Sequence, residues 1–204
     1  MDTDEFTSAA QALAADGWYV LPHLLEPEQI RALREECAAL DAAGAFRRAR
    51  TGLERTASAL RTDRTHWLDP AALTAPQRVF AARMRALRLA LNRLLMLGLV
   101  DCEAHYAVYP AGGGYARHRD CARYSEARVV SAVLYLNADW QPQQGGALRL
   151  YLAGGAHQDI LPVAGSLALF LSAQFEHEVL PPTRPRMSIA CWLRQQQRPD
   201  EPTC

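Results

Sequence analysis

From residue 102 onward this chain reads with a period of two. The segments "EAHYAVY", "RVVSAVLYLN", "GALRLYL", "QDILPV", "SLALFL", "HEVL" and "MSIACWL" are short, rich in β-branched and aromatic residues, and of strand length. Between them stand "YPAGGG", "QQGG", "AGGA" and "PPTRP", combinations of Gly and Pro that break a strand and turn the chain. So many short strands at this spacing predict a sandwich or a closed barrel, because either one buries the inward faces and protects the strand edges.

The first hundred residues follow another pattern. Residues 4–16 read as a helix ending before Gly17, and "WYVLPHLL" (18–25) as a strand. A second helix is predicted from Pro27, a residue suited to the first helical turn, to near Gly44, with Ile30, Leu33, Cys37 and Leu40 on one face. A third is predicted over 76–97, where Val79, Phe80, Met84, Leu87, Leu91, Leu94 and Leu95 make an apolar stripe and Gly98 ends it. Residues 45–66 carry Arg, Ala and Thr with little periodicity and read as a long loop or irregular hairpin before "HWLDP". The expected class is α+β, mainly β. One domain spans 1–204, with a helical and mixed part (1–99) packing on one face of a β core (100–194).

Composition narrows the partners. Formal net charge is zero, so no global basic field draws the chain to nucleic acid or to an anionic membrane. Every basic residue besides histidine is arginine. Cys37, Cys102, Cys121, Cys191 and Cys204 are odd in number, scattered and without a CxxC, which argues against a disulfide framework and for a reducing compartment. The N-terminus is acidic and polar, unlike a signal peptide, and no apolar run is long enough to span a bilayer. A soluble, cytoplasmic protein is expected, with no nucleic-acid or membrane partner.

The chemistry lies in "GGGYARHRDC" and "FEHEVLPPTRPRMSIACW". On a strand, residues i and i+2 share a face, so His118 and Asp120 reach one ion while Arg119 and Cys121 point away. His177 must come from a distant strand. Two imidazoles and a carboxylate on one face of a metal leave coordination positions free, the arrangement of non-haem Fe(II) oxygenases, and the mixed N/O donor set suits zinc-thiolate chemistry less. Nine residues past His177, an antiparallel return after "PPTRP" would put Arg186, Ser188, Ala190 and Trp192 on one face. A guanidinium beside a metal needs an anion, and its planar fork suits a carboxylate. A dicarboxylic co-substrate fits, chelating metal at one end and meeting Arg186 at the other, with Ser188 adding a hydrogen bond. Arg184 competes for that role. Tyr109, Tyr115 and Tyr135 each offer a hydroxyl on an apolar ring.

Residues 100–194 resemble the 2-oxoglutarate- and Fe(II)-dependent dioxygenases, specifically the prolyl 4-hydroxylase family. The resemblance is carried by "YPAGGGYARHRD", "VLYLNADW", "QGGALRLY" and "HEVLPPTRPRMSIACW", and "LRTDRTHWL" (60–68) is similar to the stretch that precedes the barrel in the oxygen-sensing branch. It implies a double-stranded β-helix (jelly-roll) barrel with N-terminal supporting helices. It implies His118, Asp120 and His177 as iron ligands, and Arg186 on the distal carboxylate of 2-oxoglutarate, assisted by Tyr135, with Tyr109 beside the co-substrate. Tyr115, Asp63, Trp67, Arg128 and Trp192 map to the substrate side, and an Asp63–Arg128 ion pair is expected to pin the pre-barrel segment. Fe(II), 2-oxoglutarate and O2 are the implied cofactors and co-substrates, with ascorbate as reductant, and a protein or peptide is the implied substrate. Segment 45–60 matches nothing in the family, although a substrate-covering loop belongs there. A wide groove edged by 45–66 favours a protein substrate, and a closed pocket favours a free amino acid or other small molecule. A catalytically silent barrel is the rival outside enzymology. The oligomeric state is not written in the sequence.

Overall fold

The computed structural model describes residues 2–49, 61–120 and 127–196. Three helices and eleven strands are found among them. The helices are α1 (Asp2–Ala15), α2 (Pro27–Ala42) and α3 (Ala75–Leu95). The strands are β1 (Trp18–Leu21), β2 (Arg47–Arg48), β3 (Arg64–Trp67), β4 (Leu99–Tyr109), β5 (Tyr115–His118), β6 (Arg128–Tyr135), β7 (Leu148–Tyr151), β8 (His157–Ile160), β9 (Leu167–Leu171), β10 (His177–Val179) and β11 (Arg186–Gln195). They form an antiparallel seven-stranded sheet, β1-β9-β6-β11-β4-β3-β2, and an antiparallel four-stranded sheet, β5-β10-β7-β8. This is the jelly roll that the family resemblance implies, built from the alternating segments that predicted a sandwich or barrel.

Strand alternation divides the large sheet into two functional faces. On one, Ala104, Tyr106 and Val108 of β4, Val130, Ala132 and Leu134 of β6, and Ile189, Cys191 and Leu193 of β11 are buried in the core that also receives the helices. From α2 that core takes Ile30, Leu33 and Cys37, and from α3 Phe80, Met84, Leu87 and Leu91. On the other face, Tyr109, Tyr135, Ala168 and Phe170 meet Leu148, Leu150, Ile160 and Val179 of the small sheet. The functional cavity opens in this second interior, between the sheets.

The helix termini follow local chemistry. Thr74 caps α3, its hydroxyl accepting from the Gln77 backbone N–H, and the Gln77 side chain returns a bond to the Thr74 N–H. The helix stops at Met96 (φ 54°) rather than at Gly98, because the Asn92 side chain holds both the N–H and the carbonyl of Leu99 and turns the chain into β4. Val79 and Leu94 lie outside the buried stripe, 38% and 41% exposed. At 3.6 residues per turn, positions spaced like 80, 84, 87 and 91 stay on the core side while 79 and 94 turn away from it.

Two other expectations change and one holds in part. The N-terminal part does more than pack on the barrel, since β1 and β3 pair with β9 and β4 and so lengthen the large sheet at both ends. The hairpin reading of 45–66 survives as the β2–β3 pair, while 50–60 and Cys121 lie outside the described residues. And β10 and β11 are not a hairpin. "PPTRP" carries the chain from the small sheet to the large one, so β10 pairs with β5 and β7 while β11 pairs with β4 and β6.

One glycine fixes the entry into β5. A Cβ on Gly114 would lie 2.6 Å from the Val179 carbonyl oxygen, a backbone atom with no freedom to yield. Its N–H donates to the Thr62 hydroxyl at 2.8 Å and its carbonyl accepts from the Thr62 N–H. Gly114→Ala is expected to cost about 1–3 kcal/mol, the range for overpacking, read as a lower denaturation midpoint at unchanged slope.

Candidate active site

The two imidazoles arrive on neighbouring strands, since His118 and His177 are direct register partners across β5 and β10. Strand β5 ends at His118, so Asp120 comes from the bend that follows and not from strand alternation. Its two carboxylate oxygens stand 3.6 Å from His118 Nε2 and 3.6 Å from His177 Nε2. The ligand atoms of the three residues all lie within 4.8 Å of one another, close enough to share one ion. Each ring is oriented from behind: His118 Nδ1 lies 2.8 Å from the Ala116 carbonyl and His177 Nδ1 3.4 Å from that of Phe175. Those contacts put the proton on Nδ1 and leave Nε2 with its lone pair for a metal. Tyr115 stacks on His118 with ring centroids 3.5 Å apart.

The electrostatics suit a cation. Burial raises the Asp120 carboxyl, but the charge of His177, the His118 hydrogen bond and charge, and the Ser131 hydrogen bond outweigh it and hold the group well below the usual carboxylate range. Burial pushes His177 down to about 4 against the attraction of Asp120, leaving a neutral ring, the form that binds metal. Ser131 Oγ lies 2.7 Å from Asp120 Oδ2 and 2.9 Å from Ser172 Oγ, which fixes the carboxylate from the large sheet. Sequence reading missed both serines. The available signal was a hydroxyl at an inward position of the apolar run "RVVSAVLY".

Arg186 is 1% exposed and has no carboxylate partner among the described residues. Its Nε donates to the Gly146 carbonyl at 2.8 Å and Nη1 lies 3.4 Å from Ser188 Oγ, while Nη2 is buried without a partner. The Tyr135 hydroxyl is also buried and unpartnered, with the guanidinium carbon 5.1 Å from its ring centre. Burial pushes that hydroxyl up to about 12 although Arg186 opposes the shift, so it stays a donor. A buried guanidinium nitrogen and a buried O–H left without acceptors are costly alone, and together they present the donors a carboxylate needs. Arg184 is on other business, donating to the Ala138 carbonyl at 2.7 Å and lying over Trp140.

A cavity of about 930 Å³ joins these groups. Tyr109, Tyr115, Ser188, Trp192, Arg128 and Trp67 line it together with the metal cluster and Arg186, whereas Asp63 and Tyr135 are not among its lining residues. Trp67, 53% exposed, Trp192 and the buried His105 form an aromatic group, with His105 centred 4.8 Å from Trp67 and 5.4 Å from Trp192. The Trp192 indole N–H is buried without a partner. The expected Asp63–Arg128 ion pair is absent. Asp63 takes the fork of Arg61 at 2.6 Å, and Arg128 pairs with Glu103 at 2.6 Å and lies over Trp192. Strands β4 and β11 stand between β3 and β6, so nearer partners claim both charges.

His105 gives the site a pH signature. Burial holds its pKa down to about 4, below the ordinary 6.5, and the Arg61 charge adds to the shift. The folded state prefers the neutral ring, so its stabilising share is complete above about pH 6.5 and is lost as pH falls toward the folded value. Denaturant titrations of the metal-free protein between pH 7 and pH 4 should show that loss, and His105→Phe should reduce it, leaving the share of His177, whose pKa is held down to about 4 as well. An unaltered slope in the variant would exclude His105 as the source.

The family model of the 2OG-Fe(II) oxygenase superfamily matches residues 104–194. A prolyl-4-hydroxylase of Pseudomonas putida is 43% identical, superposes with a TM-score of 0.86, and is matched over 94% of this chain and 100% of its own. The chain belongs to the 2OG-Fe(II) oxygenase superfamily. It is a prolyl-hydroxylase-like member, and Fe(II) and 2-oxoglutarate are the cofactor and co-substrate that its family and donor set support. The fold is shared with a Trichoplax adhaerens prolyl hydroxylase solved with a hypoxia inducible factor peptide fragment, at a TM-score of 0.88 and 24% identity over 95% of this chain and 90% of that one. Egl nine homolog 1 of Rattus norvegicus is 38% identical over 94 residues, which is 44% of this chain but only 28% of that protein. No helix among the described residues is long and apolar enough to cross a membrane.

Proposed function

We propose that this oxygenase hydroxylates a C–H bond of a prolyl residue in a protein or peptide, with release of succinate and CO2. Arg186 carries the proposal, because a buried guanidinium with no carboxylate partner among the described residues, facing the cavity beside a His-Asp-His cluster, asks for an anionic ligand. The donor set fits Fe(II), with two imidazoles and one ionised carboxylate. The orphaned Arg186 Nη2 and Tyr135 hydroxyl fit the distal carboxylate of 2-oxoglutarate. When bound, iron with 2-oxoglutarate supplies the oxidant that places one oxygen atom of O2 in a C–H bond.

The protein's share is placement and protection. His118, Asp120 and His177 hold the metal, and Ser131 holds Asp120. Arg186 and Tyr135 donate to the co-substrate, with Ser188 and Tyr109 completing that wall. Tyr115, Trp67, Arg128 and Trp192 offer aromatic and cationic surface to the substrate, while Arg61 keeps Asp63 paired behind it. Leu148, Val133 and Val179 give the cavity apolar sides that keep water from the reacting centre. Arg47, Arg48 and half-exposed Trp67 edge the cavity, and that breadth favours a chain over a free amino acid.

The test is succinate formation from 2-oxoglutarate with Fe(II), O2 and ascorbate as reductant, comparing wild type with His118→Ala. Turnover that the variant loses, together with gain of one oxygen atom on a proline-containing peptide, would establish the reading. Turnover with small molecules alone would redirect it to free amino acids. Neither turnover nor 2-oxoglutarate binding would leave the silent barrel.

A further inference from the structure

The cavity mouth is cationic, and the reading above leaves that charge unused. Arg47 and Arg48 form β2, the outer strand of the large sheet, and both are exposed. Arg119, between His118 and Asp120, is exposed as well. All three line the cavity. None forms an ion pair with a carboxylate among the described residues, and Arg47 reaches only the carbonyls of Gly44 and Phe46. The other arginines near the mouth are spoken for, Arg61 by Asp63 and Arg128 by Glu103. Asp120 is the sole carboxylate of the cavity lining among the described residues, and it belongs to the metal cluster. A chain of zero formal net charge therefore gathers unpaired positive charge around its reactive centre.

We infer that this rim selects substrate by charge, taking an extended peptide with acidic side chains on both sides of the target residue. The placement carries the two-sidedness. Arg47 and Arg48 approach from the edge of the large sheet and Arg119 from the end of β5 in the small one, with the metal cluster lining the same cavity. An extended segment advances about 3.3 Å per residue, so side chains a few positions before and after the target can meet the two separate groups of arginines, on β2 and past the end of β5. Exposed arginines add little to stability, but in an interface they steer and discriminate oppositely charged partners. A nucleic-acid strand fits less well. It brings a phosphate at every nucleotide and is served by a continuous basic track, whereas the free arginines here stand in two separate places. The inference rests on the peptide reading of the site.

The experiment measures binding of fluorescein-labelled peptides, each with a central proline flanked by glutamates, glutamines or lysines, to the full chain with Fe(II) and 2-oxoglutarate under anaerobic conditions. The glutamate peptide should bind at least about tenfold tighter than the glutamine peptide, and the lysine peptide weakest, with the preference shrinking as salt is raised. The double substitution Arg47→Glu/Arg48→Glu should invert the order. Recovered affinity for the lysine peptide would show that the variant is folded. Equal binding of the glutamate and glutamine peptides, no binding of the glutamate peptide, or an order that survives the reversal would overturn the inference. So would stronger displacement of the acidic peptide by a single-stranded oligonucleotide of equal charge than by the unlabelled peptide. Succinate formation by the same wild-type preparation separates the two failures. Its absence defeats the oxygenase reading, and its presence without charge preference defeats only the rim.

Discussion

Asp120→Ala should lower Fe(II) affinity by more than about 100-fold and remove succinate formation with it, since it deletes the sole anionic donor of the cluster. Two imidazoles would remain, able to bind a divalent ion but with no negative charge to offset its desolvation. Anaerobic Fe(II) titration by calorimetry reads the loss directly. Ser131→Ala provides the graded comparison. It keeps every donor and removes only the hydroxyl 2.7 Å from Asp120 Oδ2, so affinity should fall by about tenfold, the lower end for partners that orient a ligand. The stability of the metal-free protein carries its own signature. The Asp120 carboxyl is held below its ordinary value in the fold, so its contribution is present above about pH 4 and is lost as pH falls further. The alanine variant should lack that acid-limb loss. Undiminished iron binding in Asp120→Ala would refute the ligand assignment.

Arg186→Leu is expected to separate co-substrate binding from both metal binding and folding. The guanidinium is 1% exposed and has no anion among the described residues, so in the free protein it is a buried charge held only by a carbonyl and a hydroxyl. Replacing such a group by an apolar one of similar reach is neutral or stabilising. The denaturation midpoint of the free variant should therefore hold or rise. With 2-oxoglutarate the difference reverses. Loss of a buried charge-assisted pair costs about 3–5 kcal/mol, which raises the 2-oxoglutarate KM by about 100-fold or more. Wild-type protein should gain thermal stability as 2-oxoglutarate is added, by linkage, and Arg186→Leu should not. Arg186→Lys should recover part of the effect, keeping charge while giving up the planar fork. A variant still stabilised by 2-oxoglutarate would place the co-substrate elsewhere.

The residues legible in advance were those whose chemistry is unusual for their position. His118, Asp120 and His177 stand out because imidazole and carboxylate interrupt strand segments at a spacing that can share an ion. Arg186 stands out because it opens an apolar strand. Ser131 and Ser172 escaped notice because one serine among valines and alanines carries no signal until Asp120 is beside it. The Asp63–Arg128 pairing failed for a related reason. Opposite charges far apart in the chain invite pairing, but Arg61, two residues from Asp63, and Glu103, beside Trp192 in the β4–β11 register, lie closer.

The class of the fold was determined by the sequence itself. A period of two, broken at Gly and Pro, forces half-buried strands, and the 3.6-residue stripes of α2 and α3 need an apolar face to cover. These are local properties, set by how a Cβ leaves the backbone. Only the tertiary structure decided which strands meet. It sent "PPTRP" across from one sheet to the other, brought His118 opposite His177, and supplied Asp120 from a bend. It left Arg186 Nη2 and the Tyr135 hydroxyl buried without acceptors. Register and burial are relations between segments distant in the chain, and they are settled by the packing of both sheets at once.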